Sequence, residues 1–241
     1  MEPFRLRLIT NLHCNFACPF CYQKRKPKMV LPLETLRFEL MGRRFKRASV
    51  MGGEATLLPN LADYIAIAAE CCDTVGLTTN GFFLTPKSLQ DYIDAGLDEV
   101  AISIPSIRHY ADITGHSYGE VLPAVEMCAR MLPGTRINVT QNDFNMEGEI
   151  YDMILTFNTM GLFVVVCEDI ARNFVMDFEG RLGAELVGKS HGFLTYRHRY
   201  GTFGYFHDYE NYDDTDLIVT PVGTFEKWSE YCSAVGLELT A

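Results

Sequence analysis

The sequence predicts an α/β protein, and three observations lead to this fold class. Short β-type runs alternate with helical runs up to residue 167, in about six strand–helix repeats. Glycine, proline, asparagine and aspartate fall mostly between these runs, where turns are expected. The chain has 241 residues, of which 48% are hydrophobic and 22% are charged, so it is long enough and apolar enough to bury a core.

Each predicted element follows from the spacing of its apolar residues. The predicted strands are FRLRLIT at 4–10, RASVM at 47–51, TVGLTTN at 74–80, EVAISI at 99–104, RINVT at 136–140 and LFVVV at 162–166. The predicted helices are LETLRFELMGRRF at 33–45, LADYIAIAAECC at 61–72, PKSLQDYIDAG at 86–96, EVLPAVEMCARML at 120–132 and GEIYDMILTFNTM at 148–160. This order indicates a parallel sheet with crossover helices, and six such strands correspond to a partial (β/α)6 TIM-like barrel.

The alternation ends after residue 170. Residues 193–212 are rich in tyrosine and phenylalanine around glycine-centred turns, and residues 220–228 read TPVGTFEKW. This pattern predicts β-hairpins followed by a short terminal helix. We therefore divide the chain into a barrel at 1–170 and a small C-terminal β-hairpin/helix extension at 171–241, which is expected to cap the barrel and help to select the substrate.

Charge and hydropathy exclude several classes of function. A formal charge of −10 argues against broad contact with nucleic acid or with an anionic membrane surface. The first ten residues lack the apolar run of a signal peptide, and no stretch approaches the roughly 18 apolar residues of a membrane span. Eight cysteines without an export signal therefore suggest a reducing, cytoplasmic setting, in which closely spaced cysteines favour metal or redox chemistry over disulfides.

Three cysteines in the loop after the first strand give the strongest functional signal. Cys14, Cys18 and Cys21 lie at spacings of four and three within CNFACPFC. A structural zinc site and a four-iron cluster both normally take four protein ligands, and no second pair of cysteines has zinc spacing. A zinc site, a non-catalytic iron–sulfur module and a cluster with one iron free of protein ligands stay open on spacing alone. An open metal position is typical of a catalytic site.

Polar and glycine residues follow the other predicted strands. The turn Gly52–Gly53–Glu54 follows the second strand, Asn80 ends the third, Ser103 lies at the end of the fourth, and Asn138 lies in the fifth. Because the carboxyl ends of parallel strands meet on one rim, these residues are expected to face the cysteine loop.

Three motifs resemble those of radical S-adenosylmethionine enzymes. CNFACPFC matches the C-x3-C-x2-C signature of that family, with the aromatic Phe20 before the last cysteine. GGEAT at 52–56 is similar to the family's Gly-Gly-Glu-Pro turn, with Ala55 in place of proline, and TTNG at 78–81 is similar to a recurring third-strand motif. The resemblance covers roughly residues 5–167 and is closest to the molybdenum-cofactor-enzyme-A branch, without an auxiliary-cluster domain.

The resemblance implies a set of cofactors and a reaction. Cys14, Cys18 and Cys21 would hold an oxygen-sensitive [4Fe–4S] cluster whose open iron binds S-adenosylmethionine. An electron from an external flavodoxin- or ferredoxin-like reductant would cleave S-adenosylmethionine to a 5′-deoxyadenosyl radical, which abstracts hydrogen from the substrate. The residues expected to contact the cofactor are Phe20, Gly52, Gly53, Glu54, Asn80, Ser103 and Asn138. No catalytic side chain is assigned.

Other features favour a small anionic substrate. Only Cys232 lies beyond residue 167, so no auxiliary cluster is expected, and the first strand begins too near residue 1 to leave room for a leader-peptide domain. The basic run 24–28 directly follows the cysteine loop in a chain that is acidic overall, and it is a candidate site for a negatively charged group of the substrate. The alternative interpretation is that the run is an ordinary solvated loop. The alternative substrate is a ribosomally synthesised peptide.

Overall fold

The structure is a computed structural model, and it describes residues 5–145, 148–168, 176–190, 193–206 and 216–235, without the side chain of residue 190. Its strands are β1 (Arg5–Ile9), β2 (Arg47–Met51), β3 (Val75–Thr79), β4 (Glu99–Ser103), β5 (Gly134–Thr140), β6 (Phe163–Cys167), β7 (Glu185–Ser190), β8 (Phe193–His198), β9 (Gly201–Phe206), β10 (Asp216–Thr220) and β11 (Gly223–Phe225). Its helices are α1 (Leu33–Leu40), α2 (Leu61–Cys71), α3 (Pro86–Asp94), α4 (Tyr110–Thr114), α5 (Tyr118–Met131), α6 (Gly148–Thr159), α7 (Phe178–Leu182) and α8 (Trp228–Ala234). Among these ranges, no helix has the length and apolarity needed to cross a membrane.

The strands form one sheet in the order β11-β10-β1-β2-β3-β4-β5-β6-β9-β8-β7. Strands β1 to β6 pair in parallel with their sequence neighbours, which confirms the predicted crossover architecture. Strands β10 and β9 add parallel neighbours at the two sides of this set, and antiparallel strands lie beyond them. The two ends of the sheet do not pair among the described residues, so the fold is a partial barrel, as predicted.

Strand β1 separates an apolar side from a more polar side. In β1, Leu6 and Leu8 are fully buried, whereas Arg5 and Arg7 are half-buried. Successive side chains of a strand point to opposite faces, so the apolar set packs under the helices and the other set faces the barrel interior, here called the lumen. Fully burying one leucine or valine contributes about 1.5–3 kcal/mol, so the helix-facing set supplies the main stabilisation of the sheet.

The C-terminal segment contains the expected hairpins, β8–β9 and β10–β11, and the terminal helix α8. Its strands extend the barrel sheet, because β9 pairs with β6 and β10 pairs with β1. Residues 193–206 therefore lie at one side of the sheet, where Phe203 is fully buried, and the role of the segment as a cap stays a prediction. Residues 207–212 of the aromatic segment, and the boundary at 170, lie outside the described residues.

Helix α8 packs on the lumenal side of the sheet. Its Tyr231 shares a small buried cluster with Ile9 of β1 and Ile218 of β10. The guanidinium carbon of Arg7 lies 4.8 Å from the ring centre of Trp228, within the range of a cation–π interaction. Because Arg7 and Ile9 are on the lumenal face of β1, helix α8 narrows the lumen beside that strand.

Candidate functional site

The loop after β1 holds the three predicted metal ligands close together in the chain and in space. Cys14, Cys18 and Cys21 are half-buried free thiols. The backbone N–H of Cys21 donates to the carbonyl of Cys18 at 3.1 Å, and the backbone N–H of Phe16 lies 3.3 Å from Sγ of Cys14. Phe16 is buried, and its ring packs against Phe82 with centres 5.8 Å apart. A hydrophobic anchor and local hydrogen bonds thus fix the loop.

The electrostatics of this loop favour a bound cation. Burial raises the pKa of Cys14, and it raises the pKa of Cys18 to about 11, while the ammonium of Lys26 opposes both shifts. Metals bind the thiolate form, so positive charge at the site is needed to hold these sulfurs deprotonated. Lys26 Nζ donates to the carbonyl of Phe16, and Lys24 Nζ donates to the carbonyl of Pro19 at 2.7 Å. These two lysines of the basic run therefore fasten the cysteine loop.

The three thiols of the loop can be compared with the donor sets of two kinds of metal site. Over the described ranges, no three His, Cys, Asp or Glu side chains converge as the ligands of a single metal ion would. Each thiolate of a four-iron cluster binds a different iron, so cluster ligands are spaced more widely than those of one zinc ion. The donor set of three thiols on one loop fits a cluster better than mononuclear zinc.

The Gly52–Gly53–Glu54 turn lies directly against the cysteine loop. Backbone N–H groups of Gly53 and Glu54 donate to the carbonyls of Asn11 and His13, each at 2.8 Å. A Cβ atom on Gly52 would lie 2.1 Å from Oδ1 of Asn11, and one on Gly53 would lie 2.3 Å from the carbonyl oxygen of His13. The two glycines are required because the loop backbone approaches so closely, and the expected adjacency of the two motifs is present.

The carboxylate of Glu54 joins this turn to the end of β3. Glu54 is 2% exposed, and its Oε1 accepts from the backbone N–H of Thr56 at 3.0 Å and from the hydroxyls of Thr56 and Thr79, each at 2.6 Å. Its Oε2 accepts from the backbone N–H of Asn80 at 2.7 Å. The side chain is therefore a brace between two loops of the rim, and one face of Oε2 remains for a further donor.

The other predicted cofactor residues lie on the same rim or in the lumen. Asn80 donates from Nδ2 to Oδ1 of Asn15, inside the cysteine loop, at 2.8 Å. Ser103 and Asn138 are paired in register on β4 and β5. Phe20 is half-buried in the cysteine loop. The role of each toward a cofactor stays a prediction.

Several buried polar atoms around the rim have no hydrogen-bond partner among the described residues. They are Nδ2 of Asn15, the hydroxyl of Tyr110 and Oδ1 of Asn138. Burial raises the pKa of Tyr110, with smaller contributions from Cys18 and Glu54, so its hydroxyl is near both motifs. Buried polar atoms are nearly always paired, so unpaired donors and acceptors beside three thiols fit a polar group bound there.

Four arginines on the sheet were missed by the sequence analysis. Arg5 and Arg7 of β1 share the carboxylate of Asp216 on β10. Arg47 of β2 and Arg136 of β5 share the carboxylate of Glu99 on β4, with 2.7 Å between Nη1 of Arg136 and Oε2 of Glu99. The signal was present as charged residues at alternate strand positions, such as RLR in the first strand.

These six side chains carry two more positive than negative charges. Burial lowers the pKa of Arg136, and the neighbouring Arg47 adds to that effect. Gly76 of β3 leaves room for the pair that crosses it, because a Cβ there would lie 3.3 Å from Nη2 of Arg47 and 3.7 Å from Oε2 of Glu99. This group of four arginines and two carboxylates is therefore net positive, in a chain whose overall charge is negative.

Glu99→Gln is expected to lower the stability of the barrel. The change leaves Arg47 and Arg136, both partly buried, without the carboxylate that separates their charges. We expect a loss of about 1–3 kcal/mol, less than for a fully buried pair, and a fall in Tm of roughly 2–10 °C. The matched control is Glu70→Gln, which breaks an exposed pair with Arg37 and should leave Tm unchanged. Equal Tm values for both variants in calorimetry would contradict a stabilising role for Glu99.

Comparison with known proteins identifies the family. The model of the radical SAM superfamily matches residues 8–157, which is more than half of the chain. The chain belongs to the radical SAM superfamily. It is 33% identical over 135 residues to a GTP 3′,8-cyclase of Shewanella denitrificans, covering 50% of this chain and 39% of the relative. It is 27% identical over 158 residues to a probable GTP 3′,8-cyclase of Thermococcus kodakarensis, covering 62% and 51%.

These relatives confirm the molybdenum-cofactor-enzyme-A-like branch of radical SAM enzymes. The chain spans about half of the length of the relatives it matches or less. Among solved structures, Streptococcus suis SuiB is similar with a TM-score of 0.59 at 14% identity, covering 73% of this chain and 42% of SuiB. The structure of anSMEcpe with bound AdoMet has a TM-score of 0.56 at 13% identity, covering 70% of this chain and 52% of anSMEcpe. These two structures show that the fold is shared.

Family membership also settles the cofactors. The chain is a radical SAM enzyme, and the cofactors of this family are a [4Fe–4S] cluster and S-adenosylmethionine. SuiB has also been solved bound to S-adenosylmethionine. The rim described above, with its three thiols, glycine turn and unpaired polar atoms, is the part of this chain that fits them.

Proposed function

We propose that this enzyme abstracts hydrogen from a small anionic substrate bound in the lumen. The observation that carries the proposal is the group of partly buried arginines on the lumenal face of the sheet, Arg5, Arg7, Arg47 and Arg136. Positively charged groups inside an acidic protein attract anions and repel cations. Guanidinium groups bind phosphate and carboxylate oxygens through paired hydrogen bonds, so they suit such a substrate.

The class of substrate that fits best is a phosphorylated nucleoside. GTP is named in the relatives called GTP 3′,8-cyclase, and a further relative from Siniperca chuatsi, 25% identical over 183 residues, is named a nucleotide dehydratase. Both names describe substrates with several negative charges, as the lumen favours. A ribosomally made peptide remains the alternative, and the assays below separate the two.

The chain's own residues would divide the work between the rim and the lumen. When bound, the cluster and S-adenosylmethionine supply the one-electron cleavage that generates the 5′-deoxyadenosyl radical. Cys14, Cys18 and Cys21 would hold the cluster, while Gly53 and Glu54 would orient the methionine end. Ser103 and Asn138 would provide polar contacts in the lumen. Oδ1 of Asn138 has no partner among the described residues and would accept a hydrogen bond from the bound molecule.

The C-terminal extension, residues 171–241, would cap the barrel, and helix α8 would be the part of it that covers the lumen. Its position on the lumenal face, with Trp228 over Arg7, would exclude water from one side of the cavity. An external one-electron reductant, flavodoxin- or ferredoxin-like, would supply the electron. A cytoplasmic location accords with eight free thiols and an oxygen-sensitive cluster.

Anaerobic reconstitution tests the reaction. The dithionite-reduced protein is incubated with S-adenosylmethionine and with GTP, other nucleoside triphosphates, guanosine or peptides, and 5′-deoxyadenosine is measured. We expect a phosphorylated nucleoside to raise its formation and to transfer deuterium from a labelled position. Absence of 5′-deoxyadenosine under every condition would contradict the reaction. Stimulation by peptides alone would contradict the substrate class.

Arg136→Met is expected to weaken binding of a nucleoside triphosphate by about tenfold. The variant keeps an unbranched side chain but removes one lumenal cation, whose hydrogen bonds to an anion are worth about 1.5–3 kcal/mol. Calorimetry with GTP and with guanosine separates charge recognition from base recognition. The matched control is Arg44→Met, because Arg44 is 65% exposed and pairs with the exposed Asp73. Equal losses for GTP and guanosine would contradict a role in charge recognition.

A further inference from the structure

Asn15 lies in sequence between Cys14 and Cys18, and the nitrogen of its side-chain amide has no hydrogen-bond partner among the described residues. Oδ1 of Asn15 accepts from Nδ2 of Asn80 at 2.8 Å, and Sγ of Cys14 lies 3.9 Å from the same oxygen. Nδ2 of Asn15 is shielded from solvent and has no hydrogen-bond partner among the described residues. A buried donor left unpaired is unfavourable, so a ligand that accepts its hydrogen bond is stabilised by it.

The hydrogen-bond network determines which end of the amide is unpaired. The backbone N–H of Phe82 donates to the side chain of Asn80 at 3.0 Å, so the atom of Asn80 at that point is Oδ1. Its Nδ2 must then face Asn15, and the atom of Asn15 that receives it is Oδ1. Asparagine orientations are assigned from such networks, and here a backbone donor starts the assignment. The unpaired group of Asn15 is therefore the donor.

This donor is held in place by two further contacts. The backbone N–H of Asn80 donates to Oε2 of Glu54 at 2.7 Å, and the turn that carries Glu54 is hydrogen-bonded to the cysteine loop through Asn11 and His13. Three rim segments thus fix the position of Asn15. A group fixed in advance can stabilise a charge without reorganising when the charge appears.

We propose that Nδ2 of Asn15 donates a hydrogen bond to a sulfur of the cluster and so raises its reduction potential, and that Asn80 is the positioning residue for this contact. The cluster gains negative charge on reduction, and hydrogen bonds to its sulfurs stabilise the reduced form. The N–H of Phe16, 3.3 Å from Sγ of Cys14, is a second donor in the cysteine loop. The inference rests on the family's cluster and is independent of the proposed substrate.

The test is the midpoint potential of the reconstituted protein, measured by an EPR-monitored titration without S-adenosylmethionine or substrate. Asn15→Leu, which removes the donor without adding charge, should shift the reduction equilibrium about tenfold toward the oxidised form, or about 59 mV to lower potential. Asn80→Ser should lower the midpoint potential by a smaller amount. The serine hydroxyl still accepts from the N–H of Phe82, but the hydrogen bond that positions Asn15 is lost. The double variant should exceed Asn15→Leu by little, since both changes remove one interaction.

The matched control is Asn60→Leu, because Asn60 begins α2 and makes no capping bond with its side chain. An unchanged potential in Asn15→Leu, with full iron content, would overturn the proposal. Weaker binding of S-adenosylmethionine at an unchanged potential would also overturn it and would assign the donor to the cofactor. If Asn15→Leu holds no cluster, Asn80→Ser decides, and an unchanged potential in that variant overturns the proposal.

Discussion

Replacing Cys14, Cys18 and Cys21 together with alanine is expected to remove all cluster iron and sulfide from the protein. The three thiols are the predicted metal ligands of the loop after β1, and an iron–sulfur cluster is held by cysteine thiolates. The brown colour, the iron and sulfide content and the EPR signal of the reduced protein should disappear together. Reductive cleavage of S-adenosylmethionine should fall to background because its electron passes through the cluster.

A matched control separates this loss from general thiol chemistry. Cys71 and Cys72 form a buried pair at the end of α2, with 3.8 Å between their sulfurs, and they belong to the hydrophobic core. The double Cys71→Ser, Cys72→Ser variant should lose stability, because it places hydroxyls in the core, and should still assemble a full cluster. Full retention of iron in the triple variant would contradict the assignment, and so would zinc in place of iron in the anaerobically purified protein.

The sequence predicted the parallel strands well because their signals are local. The run RASVM lies between turn residues, and β2 spans the same residues in the structure. The adjacency of the cysteine loop and the glycine turn followed from one rule, that parallel strands end on a shared rim. Neither inference needed knowledge of which side chains meet.

The edges of the sheet could not be predicted, because they depend on pairing between distant segments. Strand β10 pairs with β1 across more than two hundred residues, and no periodicity within residues 216–220 specifies that partner. The lumenal position of α8 depends on the same pairing, since it packs on Ile9 and Ile218 together.

The lumenal charges were missed for a related reason. Alternation in β1 separates Leu6 and Leu8 from Arg5 and Arg7, but it does not tell whether the arginine side faces solvent or a cavity. The sequence analysis named the basic run as a candidate anion site instead. In the structure, Lys24 and Lys26 of that run donate to carbonyls of the cysteine loop, whereas the arginines lie on the lumenal face of the sheet.

Glu54 illustrates how contacts across the rim change a prediction made from a motif. As a motif residue, it was expected only to contact S-adenosylmethionine, whose methionine end carries an ammonium group. In the structure, its carboxylate also accepts from Thr56, Thr79 and Asn80. The side chain of Glu54 is therefore expected both to bind the cofactor and to stabilise the fold, and two substitutions are needed to measure these two effects separately.

Glu54→Ala is expected to destabilise the protein and to abolish tight binding of S-adenosylmethionine. The change leaves the hydroxyl of Thr79 and the N–H of Asn80 buried without their acceptor, so unfolding should become easier by about 2–5 kcal/mol. Glu54→Gln keeps the size but removes the charge, and should weaken binding of S-adenosylmethionine by about ten- to a hundredfold through loss of the ammonium contact. It should destabilise less, because Oε1 can still accept from Thr79.

Calorimetric titration of the reconstituted variants measures the affinity, and thermal unfolding measures the stability. The control is Glu34→Gln, which removes the same charge from an exposed position in the first turn of α1 and should change neither quantity. If Glu54→Gln bound S-adenosylmethionine as tightly as the parent while keeping its cluster, the ammonium contact would be wrong. If Glu54→Ala unfolded at the parent's Tm, the brace between the glycine turn and β3 would contribute nothing to stability. The two measurements separate the two effects, because affinity depends on the free face of Oε2, whereas stability depends on all four donors, three of which bind Oε1.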